Sequence, residues 1–315
     1  MKKQLLDWLR CSACGASELR LTVSEEVEGE VKEGLLRCGC GSTFPVTNYV
    51  PRFVDGDSYV DNFSFEWNLH RRTQLDSVNG SRESEDRFAG TMDFPLAELC
   101  GKVALDVGCG TGRFAEVVLK YGGTSVGVDL SYAVDAAFAN LGRHPQMQIL
   151  QADVFQLPLR AEQFDLIYSL GVLHHTPDPR RAFSGLVRLL KPGGKIAITL
   201  YPAYNRAYVL ATEFWRMFTT RLPRRVLYAL AHAAIPLYHV YRVPGLYHVG
   251  CATLPICMHR SWRWRVLDTF DLYSPTYQSY HTHYEVFRWF EEAGLERIRV
   301  REPGISVIGQ RPAGT

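Results

Sequence analysis

Leu105-Asp106-Val107-Gly108-Cys109-Gly110-Thr111-Gly112 is a short apolar run that ends in a turn with glycine at every second position, and amphipathic sequence follows from Arg113. That order reads as strand, tight turn and helix. In such a unit the backbone approaches a ligand beyond the carboxyl end of a parallel strand, and the helix start offers unpaired N–H groups. A dinucleotide fingerprint needs glycine at the sixth position counted from Gly108. That position holds Arg113, which disfavours a pyrophosphate.

Outward from this turn, short apolar runs alternate with amphipathic stretches, the pattern of a parallel α/β sheet. The runs predict strands at Val103–Val107, Ser125–Val128, Gln148–Gln151, Phe164–Ser169 and Lys195–Leu200, with Lys191-Pro192-Gly193-Gly194 as the turn feeding the fifth. A helix over His283–Ala293 and strands at Leu295–Arg301 and Ile305–Gly309 follow. Asp129 ends the second strand, where a carboxylate accepts from ribose hydroxyls, and Asp153 closes the third, where one accepts from an adenine amino group while Val154 and Phe155 pack on the ring. Ser169-Leu170-Gly171-Val172-Leu173-His174-His175 ends the fourth at the same crevice. Taken singly, each of these is also an ordinary strand-end turn or surface acid.

As an ordered set they resemble the motifs of class I S-adenosylmethionine (SAM) dependent methyltransferases, over roughly Lys102–Leu200 and again His281–Gly309. The resemblance implies a Rossmann-like seven-stranded sheet and SAM as cofactor. It implies Asp106, Gly108 and Gly110 at the methionine part, Asp129 at the ribose, and Asp153 and Val154 at the adenine, with Cys109, Leu130 and Leu170 completing the cofactor-binding set. The Leu170–His175 version is similar to methyltransferases of quinone biosynthesis and other small-molecule enzymes. It lacks the Asn-Pro-Pro-aromatic tetrapeptide of amino-group nucleic-acid and protein-glutamine methyltransferases, which disfavours nucleic acid as partner. Phe63-Ser64-Phe65-Glu66-Trp67 resembles an aromatic lead-in that closes over the cofactor in some methyltransferases; a helix packed on the sheet edge accounts for it equally well.

Ahead of the sheet, Cys11-Ser12-Ala13-Cys14-Gly15 and Cys38-Gly39-Cys40-Gly41 present two thiol pairs, each followed by a glycine that permits a tight turn. Four thiolates make a closed tetrahedral zinc site, structural rather than catalytic, that staples a segment too small for a large core. The segment resembles a zinc ribbon of the kind that serves as the small activating partner of some tRNA and protein methyltransferases. The one-residue gap of the second pair departs from the commoner two, and a metal-free ribbon with reduced cysteines is the alternative. The remaining cysteines, Cys100, Cys109, Cys251 and Cys257, read as ordinary buried thiols.

The expected organisation is a zinc ribbon over 1–55, a helical lead-in over 56–101, the SAM-binding core over 102–200, an inserted cap over 201–280, and the last helix and two strands over 281–315. Thirty-five basic against thirty-three acidic residues leave the whole chain near neutral, whereas residues 201–265 hold nine arginines, no lysine and Glu213 alone on the acidic side, 9 − 1 = +8. Prolines, glycines and histidines interrupt the apolar runs there, so a cap or interfacial element fits better than a membrane span. Such a cap suits a small-molecule or lipid-like acceptor, peripheral contact with an anionic membrane, or RNA phosphates; a helical lid with its own core needs none of these.

Methyl transfer to oxygen or carbon needs a base, for which His174, His175, His281 and His283 are the candidates; each is also readable as a packing or capping histidine. The leading expectation is a SAM-dependent methyltransferase acting on a small or lipid-like acceptor. A tRNA or protein methyltransferase that docks through ribbon and insert is the alternative, and a non-catalytic SAM-binding module the third. Two lysines without a long apolar core or cleavage site at the start do not read as a secretory signal, so the expected location is cytoplasmic, with peripheral membrane contact through the insert.

Overall fold

The structure is a computed structural model that describes residues 1–54, 63, 66–67, 69–301 and 304–314. Ser64 and Phe65 of the aromatic lead-in lie outside the described residues. The first sheet is antiparallel, in the order β1 (Leu19–Val27), β2 (Glu30–Cys38), β3 (Thr43–Thr47), β4 (Val50–Pro51). The second has seven strands, β5 (Val103–Val107), β6 (Thr124–Asp129), β7 (Met147–Gln151), β8 (Phe164–Leu170), β9 (Leu190–Leu200), β10 (Glu296–Arg301) and β11 (Ile305–Gln310), in the order β10-β11-β9-β8-β5-β6-β7. β5 through β9 pair in parallel, and β11 enters antiparallel beside β9. This is the class I methyltransferase sheet that the sequence implied.

The apolar runs are legible because central parallel strands are buried on both faces; every residue of β7 is buried. Between strands, α2 (Arg113–Lys120) buries Phe114, Ala115, Val117, Val118 and Leu119 against the sheet, and α3 (Ala133–Leu141) and α4 (Pro179–Val187) do the same with their apolar faces. Earlier, α1 (Glu83–Thr91) sets Phe88 edge-on to Tyr168, 5.0 Å between ring centroids.

One expectation is corrected: Lys191-Pro192-Gly193-Gly194 lies inside β9 as a bulge instead of preceding it as a turn. The ladder jumps from Phe164↔Leu190 to Leu166↔Lys195. The looped-out backbone is held by the chain after β11, with Gly193 N–H donating to the Arg311 carbonyl (3.1 Å) and Arg311 N–H to that of Gly194 (2.8 Å). Local sequence carries no sign of that distant partner.

The N-terminal sheet does not stand apart. Leu9 bridges Leu159 and Arg52 bridges Gln151, so the segment extends the β7 edge of the large sheet. Met1, Leu5, Leu9, Val31, Leu36 and Val46 belong to the same apolar cluster as Leu105, Val126, Leu150 and Leu159. A segment too small for a core of its own thus shares one.

The insert folds as helices α5 (Arg206–Thr219), α6 (Arg224–Ala231), α7 (Ala234–Tyr241), α8 (Leu246–Thr253) and α9 (Trp262–Tyr273) around Leu227, Ala231, Val266, Phe270, Leu272 and Tyr273. Its return into α10 (His283–Glu292) runs beside β9, where Pro202 bridges His281. Among the described residues no helix is long and apolar enough to cross a membrane.

Candidate functional site

The glycine turn is pinned to the end of β6. Gly108 and Cys109 N–H both donate to the Val128 carbonyl, at 2.7 and 3.0 Å, and Gly110 N–H donates to Asp129 Oδ2 at 2.9 Å. Gly108 has φ +78°, and a Cβ there would sit 2.3 Å from Val172 Cγ1. Gly110, at φ +50°, faces the indole of Trp67, which a Cβ would meet at 3.7 Å. The turn leaves a bare peptide floor with an aromatic roof.

One cavity opens on that floor. Of the residues singled out in the sequence, Gly108, Cys109, Gly110, Asp129, Leu130, Val154, Leu170 and His175 line it. Asp106, Asp153, His174, His281 and His283 do not. Asp106 is buried beneath the turn, and burial pushes its carboxyl up to about 8. Asp153 caps the short turn Val154–Gln156, its carboxylate accepting Phe155 N–H at 2.9 Å.

The four histidines divide by partner. His174 is fully buried and stacks on Tyr201 with centroids 3.8 Å apart; burial holds it neutral, well below the usual histidine range. His281 is held between Ser279 Oγ (2.9 Å) and Glu285 Oε1 (3.0 Å). His283 joins the Tyr204 hydroxyl (2.9 Å) to the Gly304 carbonyl (3.1 Å), fastening the start of the cap to the start of α10. His175 alone of the four reaches the cavity. Its Nδ1–H donates to the Tyr277 carbonyl at 3.1 Å, which leaves Nε2 as the lone-pair nitrogen, and Nε2 has no partner. Burial lowers its pKa to about 3, so the ring is neutral.

Sequence reading missed Asp271. It sits on α9, whose helix brings it across the cavity from the glycine turn. Its Oδ1 is buried without a partner, and Oδ2 accepts from the Tyr201 hydroxyl at 3.4 Å. Burial, then the neighbouring Asp268, raises its carboxyl to about 7. Asp268 is well satisfied by Gln74 Nε2 (3.1 Å) and Trp264 Nε1 (3.0 Å). Glu66, fully buried, has neither oxygen paired, and burial raises it far above the carboxylate range. Asp268 and Asp271 share the helix Trp262–Tyr273 with Arg263 and Arg265, so in sequence they read as ordinary charges of a mixed helix. Phe63, Trp67 and Arg113 also line the cavity.

At the N-terminal sheet the four cysteine sulfurs all lie within 4.8 Å of one another, with Cys11–Cys40 at 3.8 Å and Cys14–Cys38 at 3.5 Å. A tetrahedral zinc with Zn–S of about 2.3 Å sets sulfurs about 3.8 Å apart, so the cluster fits that ion. Gly15 and Gly41, both with positive φ, return their N–H groups to the Cys11 and Cys38 carbonyls at 2.9 and 3.0 Å.

The family model described as a methyltransferase domain matches residues 105–198. Those residues are a methyltransferase domain. Among curated relatives, the ubiquinone biosynthesis O-methyltransferase of Coxiella burnetii is 35% identical over 113 residues, 35% of this chain and 48% of that protein. Its counterpart in Pseudomonas putida is 33% identical over 134 residues, 41% of this chain and 56% of that one. The chain thus spans about half the length of the curated relatives it matches. Among solved structures, an O-methyltransferase family protein from Burkholderia thailandensis superposes with a TM-score of 0.46 at 16% identity, over 74% of this chain and 57% of that one. The matched region takes in the end of β5, all of β6 through β8, most of β9 and the glycine turn; the cap that carries Asp271 lies outside it.

Proposed function

We propose that this chain transfers a methyl group from SAM to a small-molecule or lipid-like acceptor, on oxygen or carbon. The observation that carries the reading is that the glycine turn, Asp129, His175 and Asp271 face one cavity, closed on one side by the methyltransferase domain and on the other by the cap. When bound, SAM supplies an electrophilic methyl on a sulfonium. The chain's own residues do the rest.

Gly108 and Gly110 admit the cofactor's methionine end against bare backbone. Asp129 receives the ribose hydroxyls. Its two oxygens offer about four acceptor positions, and Gly110 N–H, Ser131 N–H and Ser131 Oγ–H already use three. A two-hydroxyl grip therefore displaces the Ser131 hydroxyl. Leu130 and Val154 pack on the adenine side. Trp67 covers the turn and excludes water. Asp271 accepts the acceptor's proton on its unpaired Oδ1, and the lone pair of His175 Nε2 orients the acceptor by accepting from a second donor group on it. This assigns the base to a carboxylate of the cap in place of the histidines proposed from sequence, because a carboxyl near 7 is matched to neutral pH and an imidazole held near 3 is not.

Asp129→Ala is expected to weaken SAM binding about 10- to 100-fold, the worth of one or two charge-assisted hydrogen bonds, as read by calorimetry. Unchanged affinity would contradict this cleft. Incubation with methyl-labelled SAM and a fractionated host extract tests the acceptor: label in the small-metabolite or organic-extractable fraction supports the reading, and label in RNA or protein overturns it. On the fraction that takes label, turnover should rise with pH through about 7 as Asp271 ionises. Asp271→Asn should lower the rate by about 10²-fold or more and remove that inflection while SAM affinity holds. An inflection that survives in the variant excludes Asp271 as base.

We further propose that Cys11, Cys14, Cys38 and Cys40 hold a structural zinc, supported by the sulfur spacing. Four thiolates leave no open position for chemistry.

A further inference from the structure

Of the twenty-two large apolar side chains exposed among the described residues, fifteen lie between Tyr204 and Trp262, under a fifth of the chain. On α5 they form a stripe: Leu210, Phe214, Met217 and Phe218 are each more than half exposed. Their spacing of four, seven and eight residues from Leu210 puts them on one face of the helix, while Ala211, Thr212 and Arg216 take the buried face. Soluble surfaces scatter such residues singly; a contiguous stripe marks a surface that something covers.

The same segment is cationic. Arg206, Arg221, Arg224, Arg225, Arg242 and Arg263 are exposed, and Glu213, the lone acid of residues 201–265, pairs with Arg216. Behind the stripe, α5, α6, α7 and α9 enclose a cavity of about 290 Å³ walled by Trp215, Phe218, Leu222, Leu230, Leu237 and Leu254. Trp215, Phe218, Leu222 and Leu230 are also among the exposed residues, so the cavity opens on the outer face.

We infer that this face of the cap rests on an anionic lipid bilayer, with the α5 stripe in the hydrocarbon boundary, the arginines on lipid phosphates, and the apolar cavity receiving one hydrocarbon chain. Charge and shape together select this occupant. A second copy on a two-fold axis would set the arginine-rich patch against itself. RNA would leave Leu210 and Met217 uncovered, since single strands are held by aromatic platforms and phosphate contacts. A helix with an apolar face flanked by arginines is the form that lies in a bilayer interface, and anionic headgroups supply the opposite charge. The docking goes beyond the methyl-transfer reading and does not depend on it.

The test is co-sedimentation of the full chain with phosphatidylcholine vesicles and with mixed phosphatidylcholine and phosphatidylglycerol vesicles. Binding is expected to be at least about tenfold stronger to the anionic mixture and to weaken in high salt. The triple variant Leu210→Ser, Phe214→Ser, Met217→Ser changes only exposed positions; it is expected to lose vesicle binding while SAM affinity, measured separately, stays at the parent value. Retained vesicle binding in that variant overturns the stripe as the inserted element. Equal binding to both vesicle types overturns the role of the arginines. No binding to either, with a dimer that the triple variant converts to a monomer, assigns the face to a second copy and overturns the proposal. Loss of SAM binding in the parent would sink the methyl-transfer reading and leave vesicle binding intact.

Discussion

Gly108→Ala is expected to abolish measurable SAM binding and to lower stability by about 2–4 kcal/mol. Two independent costs combine. The left-handed backbone at φ +78° penalises any side chain, and the new methyl would meet both Val172 methyls at 2.3 and 2.5 Å. Val172 cannot clear the methyl by rotating its side chain, because its Cβ, which χ1 does not move, would also lie 2.8 Å away. The double variant Gly108→Ala, Val172→Ala separates the costs: it should recover the stability lost to the two valine methyls, while the contact with the Cβ that alanine keeps and the backbone cost remain. Calorimetric binding and thermal melts of the four proteins read this directly. A single Gly108→Ala protein that binds SAM normally would mean that the turn is not the cofactor floor.

Replacing the two exposed cysteines, Cys14→Ser and Cys40→Ser, is the second large expected effect. Cys11 and Cys38 are buried, so changing them would also disturb packing; Cys14 and Cys40 are exposed and isolate the metal. Zinc content should fall from one per chain to near zero. Because the N-terminal sheet also packs on the large one, the loss should be smaller than the roughly 10 kcal/mol of a free-standing zinc module, yet several kcal/mol, with the melting temperature down on the order of 5–10 °C. Elemental analysis and melts with and without chelator check it. Metal-free protein that melts at the same temperature after chelation would leave the cluster as four reduced thiols.

Much of this was legible before any coordinates. Doubly buried strands write themselves as apolar runs, which is why the segments around Val107, Val128 and Leu150 stand out, and a turn that tolerates only glycine at Gly108 declares itself by composition. Harder were features whose cause is a distant partner. Asp153 looks the same in sequence whether it faces a ligand or caps its own turn, since both use a strand-end carboxylate. The histidines could not be ranked because Ser279, Glu285, Tyr204 and Gly304, which tie up two of them, meet them only in three dimensions. Asp271 was invisible for the same reason: nothing local tells an insert of about seventy residues to fold one helix back over the glycine turn.

The sharing of one core by both sheets carries a consequence for how the chain is born. Arg52 pairs with Gln151 Oε1 at 2.8 Å, ninety-nine residues downstream, and Gln151 Nε2 in turn donates to the carbonyl of Leu130 in the cofactor wall. At synthesis rates on the order of 10 residues per second, the N-terminal sheet leaves the ribosome about 10 s before the strand it packs on exists. Its apolar face, with Leu5, Leu9 and Val46, has no protein to cover it during that interval. All four sulfurs, by contrast, are present once Cys40 has emerged. An ion captured there would keep the nascent segment in shape while it waits; if the cluster takes zinc, the yield of folded chains is expected to fall when translation runs without it.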